Sequence, residues 1–138
     1  MQPTVTPLDA TIGATISDID LANLDDDTWN IVEDAFHEYA ALVFPAQDLT
    51  EEDQIAFASR FGDIEILRGN TGDKAVAVSN QKPDGSILRP DEHRYKTLRG
   101  NEGWHTDSSY MPLAAKASIL CAQVVPSAGG ETAVADMR

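Results

Sequence analysis

NEGWHTDSSY, residues 101–110, is the stretch on which the interpretation of this sequence depends. Within it, His105 and Asp107 are two positions apart. In an extended segment residues i and i+2 project to the same face, so an imidazole nitrogen and a carboxylate oxygen can reach one metal ion together. These two ligands and a third His from elsewhere would form the facial triad typical of non-haem Fe(II), with the opposite positions open.

The pair by itself is weak evidence for a metal site. In a chain with 23 acidic residues and 3 His, a His followed by an Asp two positions later also arises by chance. The alternative interpretation is a His that is hydrogen-bonded to a nearby Asp in a turn. A zinc hydrolase that uses the same two residues would need a third ligand and a positioned base, and the sequence offers no candidate for either.

The composition is that of one acidic globular domain, or of part of one. The chain has 138 residues, of which 42% are hydrophobic, and a formal net charge of -13. A domain of this size buries roughly two-thirds of the surface that its unfolded chain exposes, so a packed core can form. Because so acidic a surface repels phosphate backbones and anionic lipids, we expect neither a nucleic-acid nor a membrane partner.

The cysteine count and the apolar runs indicate a cytoplasmic setting. Cys121 is the only cysteine, which excludes an intramolecular disulfide. Residues 1–13 contain neither a basic nor an apolar signal region, and the longest apolar runs are about half of the ~20 residues that a transmembrane helix needs.

Hydrophobic spacing predicts two helices and several strands. The first helix is expected over residues 28–39, after three aspartates that favour a helix N-terminus. The second is expected between a Thr50 cap and a Gly62 stop, with an inner face of Ile55, Ala58 and Phe61. Apolar or alternating runs predict strands in residues 11–21, 41–44, 75–79, 117–125 and 132–135.

Residues 80–103 are rich in Gly, Pro and charge and show no convincing periodicity, which predicts a long loop. Five of the ten basic residues of the chain fall in this segment, directly before the His105 motif. We therefore expect residues 80–103 to be an active-site loop or lid that attracts an anionic substrate. The alternative is a solvated loop whose charges keep it off the core.

Several motifs in a fixed order resemble the Fe(II)/2-oxoglutarate-dependent dioxygenases of the taurine dioxygenase and 2,4-dichlorophenoxyacetate dioxygenase family. The resemblance extends over residues 13–138, and several motifs in the right order arise by chance far less often than one. Asn80, residues 84–85 and residues 108–110 look closer to the aryloxyalkanoate branch than to the taurine branch. The motifs that carry the resemblance are residues 41–44, 47–50, 54–62, 101–110 and 125–132.

The resemblance implies a mainly β fold with flanking helices, namely the N-terminal part of a double-stranded β-helix, or jelly roll. It implies that His105 and Asp107 bind Fe(II), and that the Thr132 hydroxyl bonds the distal carboxylate of 2-oxoglutarate. Asn101 stands where relatives place an amide that reaches toward substrate or cosubstrate. Without the resemblance, Thr132 would be an ordinary β-branched strand residue and Asn101 a turn residue.

The implied reaction uses O2 and 2-oxoglutarate to hydroxylate a small anionic organic substrate, with release of succinate and CO2. For an aryloxyalkanoate such as 2,4-dichlorophenoxyacetate, hydroxylation beside the ether oxygen would give a hemiacetal that falls apart to a phenol and an oxoacid. A taurine or alkylsulfonate dioxygenase is the enzymatic alternative.

The chain lacks two residues that the resemblance requires, a second ligating His and an Arg that pairs with 2-oxoglutarate. No His follows Asp107, and the only later Arg is Arg138. We therefore expect residues 1–138 to be the N-terminal portion of a single dioxygenase domain, inactive in isolation. A naturally short, non-catalytic binding module is the alternative. The oligomeric state is left open by the sequence, and a homo-oligomer is compatible with it.

Overall fold

The computed structural model describes residues 2–66 and 72–137, which belong to two compact units. The first unit comprises Met1–Phe57 and Leu120–Arg138, and the second comprises Ala58–Ile119. The predicted iron ligands therefore fall in the second unit, whereas Thr132 falls in the first.

A three-stranded sheet lies in the first unit. Strand β1 covers Thr4–Pro7, strand β2 covers Ala14–Ser17 and strand β3 covers Leu42–Val43. The strand order is β1-β2-β3; β1 is antiparallel to β2, and β2 is parallel to β3. In this register Val5 pairs with Ile16.

The central strand β2 shows the alternation that its sequence predicts. Ala14 and Ile16 are fully buried, whereas Thr15 and Ser17 are partly exposed. Successive side chains of a strand point to opposite faces, so one face of β2 packs into the core. The strand predicted within residues 11–21 is confirmed, although its hydrogen-bonded part is only four residues long.

Helix α1 covers Asp26–Tyr39 and begins two residues earlier than predicted. The Asp25 side chain caps it by accepting a hydrogen bond of 2.8 Å from the Thr28 amide. The helix ends at Ala40, which adopts a left-handed conformation with a φ of 62°. Its inner face is formed by the buried residues Trp29, Val32 and Ala35.

Gly13 joins the start of β2 to the end of α1. Its amide donates to the Tyr39 carbonyl at 2.9 Å, and its φ is +103°. A Cβ atom at this position would come within 2.8 Å of the Leu8 side chain. A side chain here would therefore be strained by the positive φ, and the end of the exposed Leu8 side chain would have to move to make room for it.

Helix α2 covers Glu51–Ser59, so the cap predicted at Thr50 is confirmed. The Thr50 hydroxyl donates to Asp53 at 2.7 Å, and the Asp53 amide donates back to that hydroxyl at 3.2 Å. This is a reciprocal capping arrangement, and its hydrogen bonds hold the pKa of Asp53 below the usual value. The helix ends three residues before the predicted stop at Gly62.

The inner face of α2 differs from the predicted one. Phe57 is its buried residue, with 4% of its surface exposed, whereas Ile55, Ala58 and Phe61 are only partly buried. Phe57 meets Trp29 and Phe44 edge to face, at ring-centroid distances of 6.2 and 5.6 Å. The position of these partner rings decides which side of the helix is buried, and helical spacing alone does not contain that information.

Three predicted strands are absent from the residues that the structure describes. Residues 75–79, 117–125 and 132–135 have no ladder partner there. A strand forms only when a neighbour takes up its backbone hydrogen bonds, so apolar composition is not sufficient. Most of the large apolar side chains of these segments are exposed, namely Val76, Val78, Leu120, Val124, Val125 and Val134.

The predicted loop over residues 80–103 contains structure that the sequence pattern did not reveal. Gln81 and Ile87 form an antiparallel bridge around a tight turn. Helix α3 then covers His93–Gly100, and none of its residues is buried. The helix escaped prediction because an exposed helix has no apolar stripe. Helix and turn replace most of the long loop that was expected.

The described residues thus form a small sheet with flanking helices, which confirms the coarser part of the expected fold class. A closed double-stranded β-helix is not directly seen in them. No helix in the described part of the chain is long and apolar enough to cross a membrane.

Candidate metal centre

The predicted ligand motif follows helix α3 in the second unit. The Asn101 amide donates to the Thr97 and Leu98 carbonyls at 3.2 and 3.1 Å and so closes the helix. Asn101 is exposed, and its backbone caps the helix, as the turn interpretation expected. The chain then passes Gly103 into the His105 motif.

The structure brings His105 and Asp107 together. Nε2 of His105 lies 3.2 Å from Oδ1 of Asp107, and about half of each side chain is exposed, 50% and 54%. On the other side of the ring, Nδ1 lies 2.8 Å from the Gly103 carbonyl. A carbonyl oxygen can only accept, so this hydrogen bond places the proton on Nδ1.

With its proton on Nδ1, a neutral imidazole would present an unprotonated Nε2 to a carboxylate oxygen. Two acceptors at this distance repel each other unless a proton or a metal cation lies between them. Two ligand atoms about 2.1 Å from one metal ion, at a right angle to each other, are about 3.0 Å apart. The observed 3.2 Å is close to that separation, and one nitrogen with one carboxylate oxygen is a donor set that suits Fe(II). The two residues fit a metal ion.

The described residues supply two ligands and no third. Among residues 2–66 and 72–137, no group of three or more His, Cys, Asp or Glu side chains could hold a metal ion. His37 lies on helix α1 and His93 begins helix α3, so neither joins His105. A complete coordination sphere would need donors from outside this part of the chain.

Thr132 belongs to the first unit, and the ligand pair belongs to the second. It is exposed, and it follows Gly129 and Gly130, which both have a φ of +76°. The chain bends at residues 127–128, directly before these two glycines. Together with Val134, Thr132 lines a mostly apolar groove of about 580 Å³ beside Gly13 and Ala41.

Ion pairs within residues 80–103 neutralise much of the basic charge that the sequence places there. Lys82 lies 2.9 Å from Glu92, and the Lys82 ammonium together with a hydrogen bond from the Arg89 amide holds the pKa of Glu92 below its usual value. Arg99 lies 2.7 Å from Glu102. These pairs are on the surface, so each contributes little to stability.

Two cations of helix α3 remain outside these pairs. Among the residues that the structure describes, no ion pair involves Arg94 or Lys96. One Arg94 nitrogen donates to the Ala77 carbonyl at 3.4 Å. Fewer cations are therefore available to attract a ligand than the five that the sequence places in residues 80–103.

The family model described as taurine catabolism dioxygenase TauD, TfdA family matches residues 4–138. The chain belongs to the TauD/TfdA family. The expected membership, which was based on motifs in order, is confirmed.

Relatives within the TauD/TfdA family agree with the aryloxyalkanoate branch. The chain is 49% identical over 136 residues to an (S)-phenoxypropionate/alpha-ketoglutarate-dioxygenase of Sphingobium herbicidovorans, with 97% of this chain and 45% of the relative covered. It is 34% identical over 147 residues to an alpha-ketoglutarate-dependent 2,4-dichlorophenoxyacetate dioxygenase of Cupriavidus pinatubonensis, with 100% and 51% covered. The chain thus spans about half the length of these curated relatives.

A solved structure of a similar protein supports the fold. The crystal structure of AAD-2 in complex with Mn(II) and N-oxalylglycine matches with a TM-score of 0.72 and 36% identity. The match covers 83% of this chain and 39% of AAD-2. That relative was therefore crystallised with a divalent metal ion.

The sequence interpretation missed one group beside the ligand pair. Ser108, directly after Asp107, is buried, and its hydroxyl donates to Oε2 of Glu65. The two residues are 43 positions apart, so no local pattern connects them. Motif order in a TauD/TfdA member predicts a ligand pair, whereas a contact between residues so far apart in the chain is found only in the folded structure.

Proposed function

We propose that this chain is the N-terminal portion of a single-domain Fe(II)- and 2-oxoglutarate-dependent oxygenase that hydroxylates aryloxyalkanoates. The observation that carries the proposal is the approach of Nε2 of His105 to Oδ1 of Asp107 at 3.2 Å, with Nδ1 of the same ring held by the Gly103 carbonyl. The relatives named above favour a phenoxyalkanoate over other anionic substrates, and taurine or an alkylsulfonate is the alternative substrate.

The two residues would hold the metal in complementary ways. Asp107 contributes negative charge, and His105 contributes a neutral nitrogen whose orientation is fixed by the hydrogen bond to Gly103. When bound, Fe(II) with 2-oxoglutarate and O2 supplies the oxidation, in which 2-oxoglutarate becomes succinate and CO2 and one oxygen atom enters a substrate C–H bond.

Thr132 and Asn101 are the proposed cosubstrate contacts of this chain. A hydroxyl donates well to a carboxylate, and Thr132 is exposed and follows two glycines with positive φ. The exposed Asn101 amide could donate to substrate or cosubstrate while its backbone caps α3. A third ligand and the Arg partner of 2-oxoglutarate would come from the remainder of a double-stranded β-helix.

Residues 80–103 are proposed to form the lid over this site. Arg94 and Lys96 supply the positive charge of this lid, because the neighbouring cations have carboxylate partners within the segment. Two cations on the exposed helix α3 would attract a carboxylate substrate before it reaches the metal. The substrate, like the expected cytoplasmic location, remains part of the proposal.

The test is an assay of the complete protein that the gene encodes. Sequencing past the codon for Arg138 should reveal a His followed within a short distance by an Arg. With Fe(II), 2-oxoglutarate and O2, the protein should convert (S)-2-phenoxypropionate to phenol and release one succinate per phenol. His105→Ala should abolish both products, whereas His37→Ala, a variant on exposed helix surface, should abolish neither.

Three outcomes would redirect the proposal. Turnover of taurine but not of phenoxypropionate would favour the alternative substrate class, taurine or an alkylsulfonate. A stop codon after Arg138 together with no iron-dependent turnover would favour the non-catalytic binding module. Full activity in His105→Ala would show that the proposed metal centre is wrong.

A further inference from the structure

The residue that follows the proposed ligand Asp107 has a conformation that costs free energy. Ser108 has a φ of 55°, in the left-handed region, and only 9% of its surface is exposed. A residue with a Cβ adopts this conformation only where its surroundings fix it. The carbonyl of Ser108 also accepts a hydrogen bond of 2.9 Å from the Met111 amide, which closes the turn.

The side-chain contact that fixes Ser108 comes from a distant part of the second unit. The Ser108 hydroxyl donates to Oε2 of Glu65, which is a charge-assisted hydrogen bond. The other carboxylate oxygen, Oε1, is buried and has no hydrogen-bond partner among the described residues. Burying a carboxylate with one unsatisfied oxygen is unfavourable, so an arrangement of this kind calls for an explanation.

We propose that Glu65 is a positioning residue for the metal centre, acting through Ser108 on Asp107. Asp107 and Ser108 share one peptide plane, so the conformation of Ser108 sets the direction in which the Asp107 backbone enters the turn. By fixing Ser108, Glu65 keeps Oδ1 of Asp107 aimed at Nε2 of His105. This inference rests on the proposed function, because it assumes that the pair binds a metal ion.

Ser108 variants test the inference with the metal alone. Mn(II) is titrated into the complete encoded protein, and free Mn(II) is measured by electron paramagnetic resonance. Loss of a residue that supports a metal ligand typically weakens metal binding by about 10- to 100-fold. We expect Ser108→Ala to weaken binding at least tenfold and Ser108→Gly to weaken it less, because glycine adopts a positive φ without strain. Ser109→Ala, at the exposed neighbouring serine, should bind like the parent.

Glu65 variants distinguish positioning from a general structural role. Glu65→Gln keeps a carbonyl acceptor for Ser108, so it should restore Mn(II) affinity to within about threefold of the parent, whereas Glu65→Ala should match Ser108→Ala. The double variant Glu65→Ala/Ser108→Ala should be no weaker than either single variant, because both remove one interaction. Losses that multiply in the double variant, or an unchanged affinity in folded Ser108→Ala, would overturn the inference.

A measurement without metal distinguishes a failure of the proposed metal centre from a failure of the proposed Glu65 contact. Hydrogen exchange of the Met111 amide reports whether the Ser108 turn is closed, whether or not a metal binds. A parent protein that binds no Mn(II) would refute the proposed metal centre, and faster Met111 exchange in Ser108→Ala would still support the Glu65 contact. Unchanged Met111 exchange in Ser108→Ala would show that the contact with Glu65 does not hold the Ser108 turn closed. If Glu65→Ala does not fold, Ser108→Ala and Ser108→Gly alone decide whether the Ser108 contact supports metal binding.

Discussion

Replacing Phe57 by leucine tests whether the aromatic cluster of the first unit stabilises the chain. Phe57 is 4% exposed and meets Trp29 and Phe44 edge to face. Leucine keeps most of the buried apolar volume but removes both ring pairs. Each pair is worth about 0.5–1.5 kcal/mol beyond area burial, so Phe57→Leu should lower the free energy of unfolding by about 1–3 kcal/mol.

The assay is urea unfolding of the complete encoded protein, followed by far-ultraviolet circular dichroism, with the midpoint and slope fitted together. Phe44→Leu serves as the matched comparison, since the contact with Phe57 is the one ring pair that the structure gives it. It should cost about half as much. The coupling energy from the double variant should be about 0.5–1.5 kcal/mol.

Two results would contradict this reasoning. If Phe57→Leu unfolds within 0.5 kcal/mol of the parent, the edge-to-face contacts are not a source of stability. If the two substitutions add with no coupling, Phe44 and Phe57 do not interact in solution. A changed slope with urea would instead indicate that the variant alters how much surface unfolding exposes.

Three further predictions follow from single features of the structure. Gly13→Ala should destabilise the protein by more than about 1 kcal/mol, measured by urea unfolding, because positive φ and a collision with a leucine side chain act together. Hydrogen bonds hold the pKa of Asp53 low, so the contribution of Asp53 to stability is complete above the usual value of 3.8 and is lost as the pH falls below it. Thr50→Ala removes the hydroxyl partner and should therefore reduce this loss of stability at acidic pH, measured as urea unfolding midpoints over a series of pH values. The double variant Arg94→Gln/Lys96→Gln should raise the KM for phenoxypropionate severalfold without lowering kcat, in steady-state assays of the complete protein.

Matched variants make these outcomes specific. Gly85→Ala has a similar positive φ of +84° but no neighbour within 4 Å, so it should cost less than Gly13→Ala. An equal cost would mean that the collision contributes nothing. Lys74→Gln removes one exposed cation outside residues 80–103, and an equal rise of KM in that variant would assign the effect to net charge and not to the lid.

Local features of the site were predictable, and distant ones were not. His105 and Asp107 are two residues apart, so their proximity follows from backbone geometry in any extended segment. Glu65 approaches Ser108 across 43 residues of chain, and no periodicity or motif encodes that approach. The orientation of the His105 ring likewise depends on the hydrogen bond between Nδ1 and the Gly103 carbonyl, which only the folded structure shows.

The sequence by itself determined the elements whose signals are local: the capped helices α1 and α2, the buried alternation of β2 and the order of family motifs. Tertiary structure alone decided that Thr4–Pro7 pairs as strand β1 and that Phe57 is the buried residue of α2. It also decided that residues 117–125 form no strand in the part of the chain that the structure describes. The physical reason is the same in each case. Caps and side-chain periodicity act within a few residues, whereas strand pairing and burial depend on which distant segment supplies the other surface.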